Sequence, residues 1–193
     1  MRRLAKCWVV AVIAWAGVHT SPCAASERYI SSVDDAKAIY GAFLTQWMGK
    51  GDAPTNVADK AAEPTAEDVE QYTECAGERN KSTNWTTGGS SADFESALAS
   101  LARVEPIDAT QWRATDPGEL IANGQSVGAA VDAGYAGGLM TLSAISFNET
   151  RDIAMLAYSF QCGRLCGQGG IVMFNRTSRG WVQSKRQCGS WVS

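Results

Sequence analysis

Four cysteines, Cys75, Cys162, Cys166 and Cys188, remain once residues 1–25 are read as a removable export signal, and an even set of thiols in an oxidising compartment predicts two disulfides. Three pairings exist. Cys162 and Cys166 flank Gly163-Arg164-Leu165, so a bond between them closes a small ring and leaves Cys75 with Cys188 to tie the first half of the chain to its end. The competing set, Cys166 with Cys188 and Cys75 with Cys162, is feasible if C-terminal strands return Cys188 to the Cys162 loop; the first set is favoured. Zinc is the weaker use of these thiols, because paired C-x2-C spacing is missing. Thiol redox chemistry is weaker still: it uses C-x2-C at a helix N-terminus, whereas this C-x3-C lies in a Gly-rich loop before an apolar strand.

The export reading rests on Arg2, Arg3 and Lys6, on the nine apolar or small residues from Trp8 to Ala16, and on Cys23-Ala24-Ala25, which places small residues around a cleavage point. The apolar run is far short of the roughly 20 residues that span a bilayer, so no transmembrane anchor is expected. The chain thus divides into a signal peptide, 1–25, and a single exported α+β domain, 26–193, periplasmic or secreted. A lipid anchor on Cys23 is the lesser alternative, since Pro22 fits that processing badly. The sole histidine, His19, falls in the signal. A mature chain without histidine has no Ser-His-Asp or Cys-His catalysis, histidine metal site or histidine pH switch. Its Gly runs lack the residues of phosphate, dinucleotide and EF-hand loops, so neither cofactor nor metal is expected.

Cleavage shifts the formal charge from −3 to −6, which argues against nucleic acid as a partner. The charge is uneven. Residues 26–78 hold 11 acids and 4 bases, whereas residues 150–193 hold one acid, Asp152, and six bases. Opposite fields at the two ends influence partner choice, not fold.

Apolar residues recur at helical spacing from Val33 through Ile39/Tyr40 and Phe43/Leu44 to Trp47/Met48, with Ser32 and Asp35 as an N-cap pair and Gly49 or Gly51 as the stop. Asn56-Val57-Ala58 can form a short strand. Thr65 and Asp68 cap a short acidic helix through Cys75/Ala76. Residues 79–92 read as a loop anchored by Trp85, followed by a short helix over Phe94–Ala102 that Pro106 halts. Residues 107–138 are Gly-rich, with a turn of helix after Pro117. The last third is clearer: Leu139–Phe147, Ile153–Phe160, Ile171–Asn175 and Trp181–Lys185 are β-prone and predict a four-stranded antiparallel meander. The expected fold is α+β, with N-terminal amphipathic helices packed on one face of a C-terminal antiparallel β-meander.

Within that meander, Ser143-x3-Phe147-Asn148, Ala157-Tyr158, Cys162-Gly163-Arg164-Leu165-Cys166-Gly167-Gln168-Gly169 and Gly180-Trp181-Val182 follow in order. Over residues 140–193 this resembles the C-terminal signature of a loosely defined group of exported bacterial proteins, in which a strand, a CG-x-LCG-x-G loop, an apolar strand and a G-x-W turn succeed one another. The resemblance implies export and a β-meander. The group has no known function, so it implies no catalytic residues. Physically, the loop suits a rigid projection: Gly163, Gly167, Gly169 and Gly170 permit positive φ, and a Cys162–Cys166 bond would hold Arg164 and Leu165 outward. Arg164, Leu165 and Gln168 are therefore the candidate partner-binding residues.

Three functions compete. A non-catalytic binding or inhibitory protein of the cell envelope, of the immunity or lysozyme-inhibitor kind, would plug the cleft of a secreted enzyme or toxin with that loop; this reading leads. A structural or accessory envelope protein is the second. A hydrolase using paired carboxylates, the acid/base route that needs no histidine, is the third, with Asp34, Asp35, Asp116, Glu119, Asp132 and Asp152 as its candidate acids.

Overall fold

The computed structural model describes residues 32–50, 52–77 and 84–193. The expected signal peptide and Cys23 lie outside them. Helix α1 (Ser32–Met48) buries Ile39, Tyr40, Phe43 and Leu44 as its periodicity predicts, and stops where Gly49 turns to φ 56°. After β1 (Thr55–Ala58), α2 (Ala66–Ala76) opens on a reciprocal cap: the Asp68 N–H donates to Thr65 Oγ1 at 3.1 Å, and the Thr65 N–H to Asp68 Oδ2 at 2.8 Å. These bonds satisfy donors that a helix start leaves orphaned. Strand β2 (Trp85–Gly88) precedes α3 (Ser91–Ala99), which repeats the same cap with Ser90 and Asp93. Strand β3 (Val104–Ile107), α4 (Pro117–Ala122) and α5 (Val127–Ala136) follow, and then β4 (Leu139–Leu142), β5 (Ile145–Asn148), β6 (Ile153–Gly163), β7 (Cys166–Thr177) and β8 (Gly180–Val192).

All eight strands form one sheet, with β6 as its spine. One edge of β6 pairs with β7, which pairs with β8; the other edge is shared, β5 taking its first half and β4 its second. The segment Leu139–Phe147, which reads as a single strand, is thus two pieces broken at Ser143-Ala144. Ser143 bridges the break: its hydroxyl accepts from the Ala157 N–H at 3.0 Å where a ladder carbonyl would otherwise serve, and its carbonyl accepts from Tyr40 Oη at 2.9 Å. Ala62 fills the gap from the far side, receiving the Ala144 N–H and donating to the Leu142 carbonyl. Beyond the broken row, β2 extends β5, and β1 runs parallel to both β4 and β3. The meander is therefore the antiparallel part of a larger mixed sheet. Residues 79–92, expected as loop throughout, contribute β2, because Trp85 sits opposite Asn148 and its half-buried ring packs edge-on against Tyr72, 5.7 Å away.

Helices cover both faces of this sheet, not one. Alternate residues divide the strands: Ala154, Leu156, Phe160, Val172 and Phe174 meet α1 and α3, while Met155, Ile171 and Met173 meet Tyr72 and Cys75 of α2. The same alternation decides the disulfides. Cys162 faces the α1 side, and Cys188, in register with Ile171, faces α2. Cys75 is therefore on the wrong side of the sheet to reach Cys162. The bonds are Cys75–Cys188 and Cys162–Cys166, with Cα atoms 5.8 and 5.0 Å apart. Burial drives the phenol of Tyr72 up to about 12, and that of Tyr40 higher still, so both stay neutral, and Tyr40 donates at the sheet break.

Candidate functional site

The β6–β7 hairpin is longer and its loop shorter than sequence suggests. Pairing runs from Ile153 opposite Asn175 to Gly163 opposite Cys166, which leaves only Arg164 and Leu165 at the tip. Leu165 is 88% exposed, an unusual position for a leucine side chain held by a disulfide at its base. Gln168, grouped with them on sequence, is not at the tip: it lies in β7, opposite Phe160 on one side and Val192 on the other.

The glycines of this motif do not serve positive φ, as expected; none of Gly163, Gly167, Gly169 and Gly170 adopts it. They make room. A Cβ on Gly163 would stand 2.8 Å from Pro117 Cδ, and one on Gly169 would meet three atoms of the Trp191 indole at 2.5–2.7 Å. Near-equal distances to three ring atoms mean that the indole lies flat on the strand at Gly169.

The tip is also fastened from outside. The Arg164 N–H donates to Asp116 Oδ2 at 2.9 Å, and Asp116 Oδ1 accepts from the Gly118 N–H at 2.8 Å as the N-cap of α4. Chiefly through the Arg164 N–H, these bonds hold the Asp116 carboxyl below the usual carboxylate range. Pro117 packs over Gly163 and Gly134, so it joins α4, α5 and the hairpin end.

Around this piece the surface is apolar. Among the described residues eight large hydrophobic side chains are exposed, and seven of them, Ile121, Val127, Val131, Tyr135, Leu165, Trp191 and Val192, belong to α4, α5, the tip or the end of β8 beside it. Only Val182 lies at the opposite end, near the β7–β8 turn. On α5 the sequence spacing misleads: Val127, Val131 and Tyr135 share one stripe, but Ala130 and Gly134 face the protein, because only small residues fit against Pro117.

Three of the six candidate acids, Asp35, Asp116 and Asp152, have other work. The Asp35 carboxylate, 4% exposed, lies 3.5 Å from Arg151 Nη2 and 3.2 Å from Arg176 Nη2, and accepts from Trp181 Nε1 at 2.8 Å. Arg151 stacks on Phe147 and Arg176 on Trp181, which completes a latch between α1 and the sheet. Asp152 accepts from Thr150 and Asn148 in the β5–β6 turn, and these bonds lower its pKa. Glu63 and Asp93 line one cavity of about 380 Å³, but an oxygen of Asp93 accepts from the Ser90 N–H at 2.7 Å in the α3 cap. Asp132 differs: it lines a cavity of about 310 Å³ beside α5. Among the described residues, no group of three or more His, Cys, Asp or Glu side chains is placed to hold a metal ion.

No protein family, curated protein or solved structure matches this chain. What the geometry defines is a class: a two-disulfide α+β domain whose exposed apolar side chains gather at one braced end of its sheet. No helix among the described residues is long and apolar enough to cross a membrane.

Proposed function

We propose that this chain is an exported, non-catalytic binding protein of the cell envelope, inhibitory or immunity-like, that engages a protein partner through the sheet end bearing Arg164 and Leu165. One observation carries the reading: among the described residues, seven of the eight exposed large hydrophobic side chains belong to the elements at that end. Scattered exposed leucines need no explanation, whereas a gathered set on a monomer surface marks an interaction site. Bracing by Cys162–Cys166, Asp116 and Pro117 supports the same reading, since a preordered loop loses little entropy on binding. Arg164, its side chain 84% exposed, supplies a cation beside the leucine. The partner is a secreted enzyme or toxin with a concave site, because a narrow two-residue tip fits a cleft better than a flat face.

The test is affinity capture from periplasmic extract with oxidised protein, comparing wild type with Leu165→Asp, Arg164→Glu and Val182→Asp. The first two should lose the captured partner and the third should keep it. Capture that survives Leu165→Asp, or that fails equally with Val182→Asp, refutes the proposed surface.

A further inference from the structure

The cavity beside α5 lies between the C-terminal end of α1, the start of β1 and the face of α5 that carries Asp132 and Tyr135. Its wall is a row of rings. Trp47 and Phe160 have centroids 5.4 Å apart, and Phe160 and Tyr135 are stacked at 5.5 Å with planes 29° apart. Met48 and Pro54 extend the apolar lining. The floor is built for the rings: a Cβ on Gly138 would collide with Phe160, and Asn56 Nδ2 donates to the Gly138 carbonyl at 3.1 Å to hold that backbone in place.

Asp132 precedes Tyr135 by three residues, which puts the two on neighbouring parts of one helix face. Unlike Asp35, Asp108, Asp116 and Asp152, it has no ion pair or hydrogen bond among the described residues. A carboxylate without a partner, beside three aromatic rings, discriminates by charge. Ring faces attract cations, and the exposed Asp132 carboxylate beside them adds a solvent-screened attraction. An anion is repelled there, and a neutral ligand gains neither contribution. The volume, about 310 Å³, lies at the small end of ligand sites and suits a compact headgroup on a short stem.

From this we infer that the cavity binds an organic ammonium group, carried by a small free amine or by a lysine side chain of another protein. The site shares Tyr135 with the apolar surface but includes neither Arg164 nor Leu165, so the inference stands or falls without the tip contact.

Amide correlation spectra of the full, oxidised chain test the inference with three probes: choline, its uncharged carbon isostere in which a tert-butyl group replaces trimethylammonium, and Nα-acetyl-lysine methylamide. At least one cation should shift the amides of Asp132, Tyr135 and Gly138 saturably, with the isostere about tenfold weaker or worse. Asp132→Asn should cost a similar factor, and Tyr135→Ala about threefold, while distant amides keep their positions. Tighter choline binding points to a free amine, and tighter binding of the lysine probe to a side chain. The inference is overturned if neither cation shifts these amides by about 10 mM. It is overturned equally if the isostere matches choline, or if Asp132→Asn binds like wild type. Partner capture by the Leu165 surface is a separate readout that none of these outcomes decides.

Discussion

Replacing Asp35 by alanine removes a buried acceptor that three donors share, and the cost follows from how exposed each donor is. The Trp181 Nε1 bond, at 2.8 Å to a charged oxygen, is worth about 1.5–3 kcal/mol. Arg151 and Arg176 are 45% and 30% exposed, so water partly replaces the lost carboxylate and each ion pair contributes only about 0.5 kcal/mol. Loss of the carboxylate also leaves both guanidinium groups facing one site without compensation. The sum is about 3 kcal/mol, at the low end of the roughly 3–5 kcal/mol range for breaking a fully buried pair, in keeping with the donors' exposure. Urea unfolding with intact disulfides measures it, as a lower midpoint at unchanged slope. Thermal melting should fall by about 6–12 °C for a domain of this size. Asp35→Asn keeps the shape and one acceptor, and should cost less than half as much. A double-mutant cycle with Arg176→Ala should show coupling. If Asp35→Ala lies within about 0.5 kcal/mol of wild type, or Asp35→Asn is as damaging, the latch is not what holds α1 to the sheet.

Two further outcomes follow from the hairpin. Gly169→Ala should lift the Trp191 indole off its strand, at a cost of about 1–3 kcal/mol, seen as a red shift and greater quenching of tryptophan emission; emission like that of wild type would mean that the ring is not seated there. Because the Asp116 carboxyl is held below its ordinary value, its tie to Arg164 is fully present above the unfolded carboxyl value of about 3.9 and is lost as pH falls through the lower folded value. Protection of the Arg164 amide from hydrogen exchange, corrected for intrinsic rates, should therefore persist at pH 4 and fall below it. Protection that falls well above that range would contradict the assignment.

Much of the architecture is legible in local signals. Helix α1 is given by a stripe of large side chains, α2 by the Thr65–Asp68 cap, and the last strands by β-branched and aromatic runs. The disulfide pairing favoured on ring size is the one the sheet enforces, although the reason, opposite faces, needs the fold. What escapes has a tertiary cause in each case. Pro106 reads as a helix stop, yet it lies in β3, whose one strand partner is β1, where a missing N–H is tolerated. Helix α5 hides because its buried residues are alanine and glycine, while Val127, Val131 and Tyr135 are all left exposed. Asp35 reads as a cap, and nothing near it in sequence announces Arg176 or Trp181. The tip residues Arg164 and Leu165 stand out from their flanking cysteines, but the apolar surface around them comes from three separate segments, α4, α5 and the end of β8. The rings beside Asp132 come from α1, α5 and β6, and no spacing rule joins them.

The shared edge of β6 has a bearing on how the molecule is made. A chain synthesised from its N-terminus releases α1 first, but Trp181, one of the groups that latch Asp35, follows 146 residues later. Until the closing hairpins emerge, the early helices have no platform, and their aromatic stripes stay open to chaperones and to one another. Such a molecule matures late and almost at once, and loss of even its last two strands should deprive the whole chain of a native state.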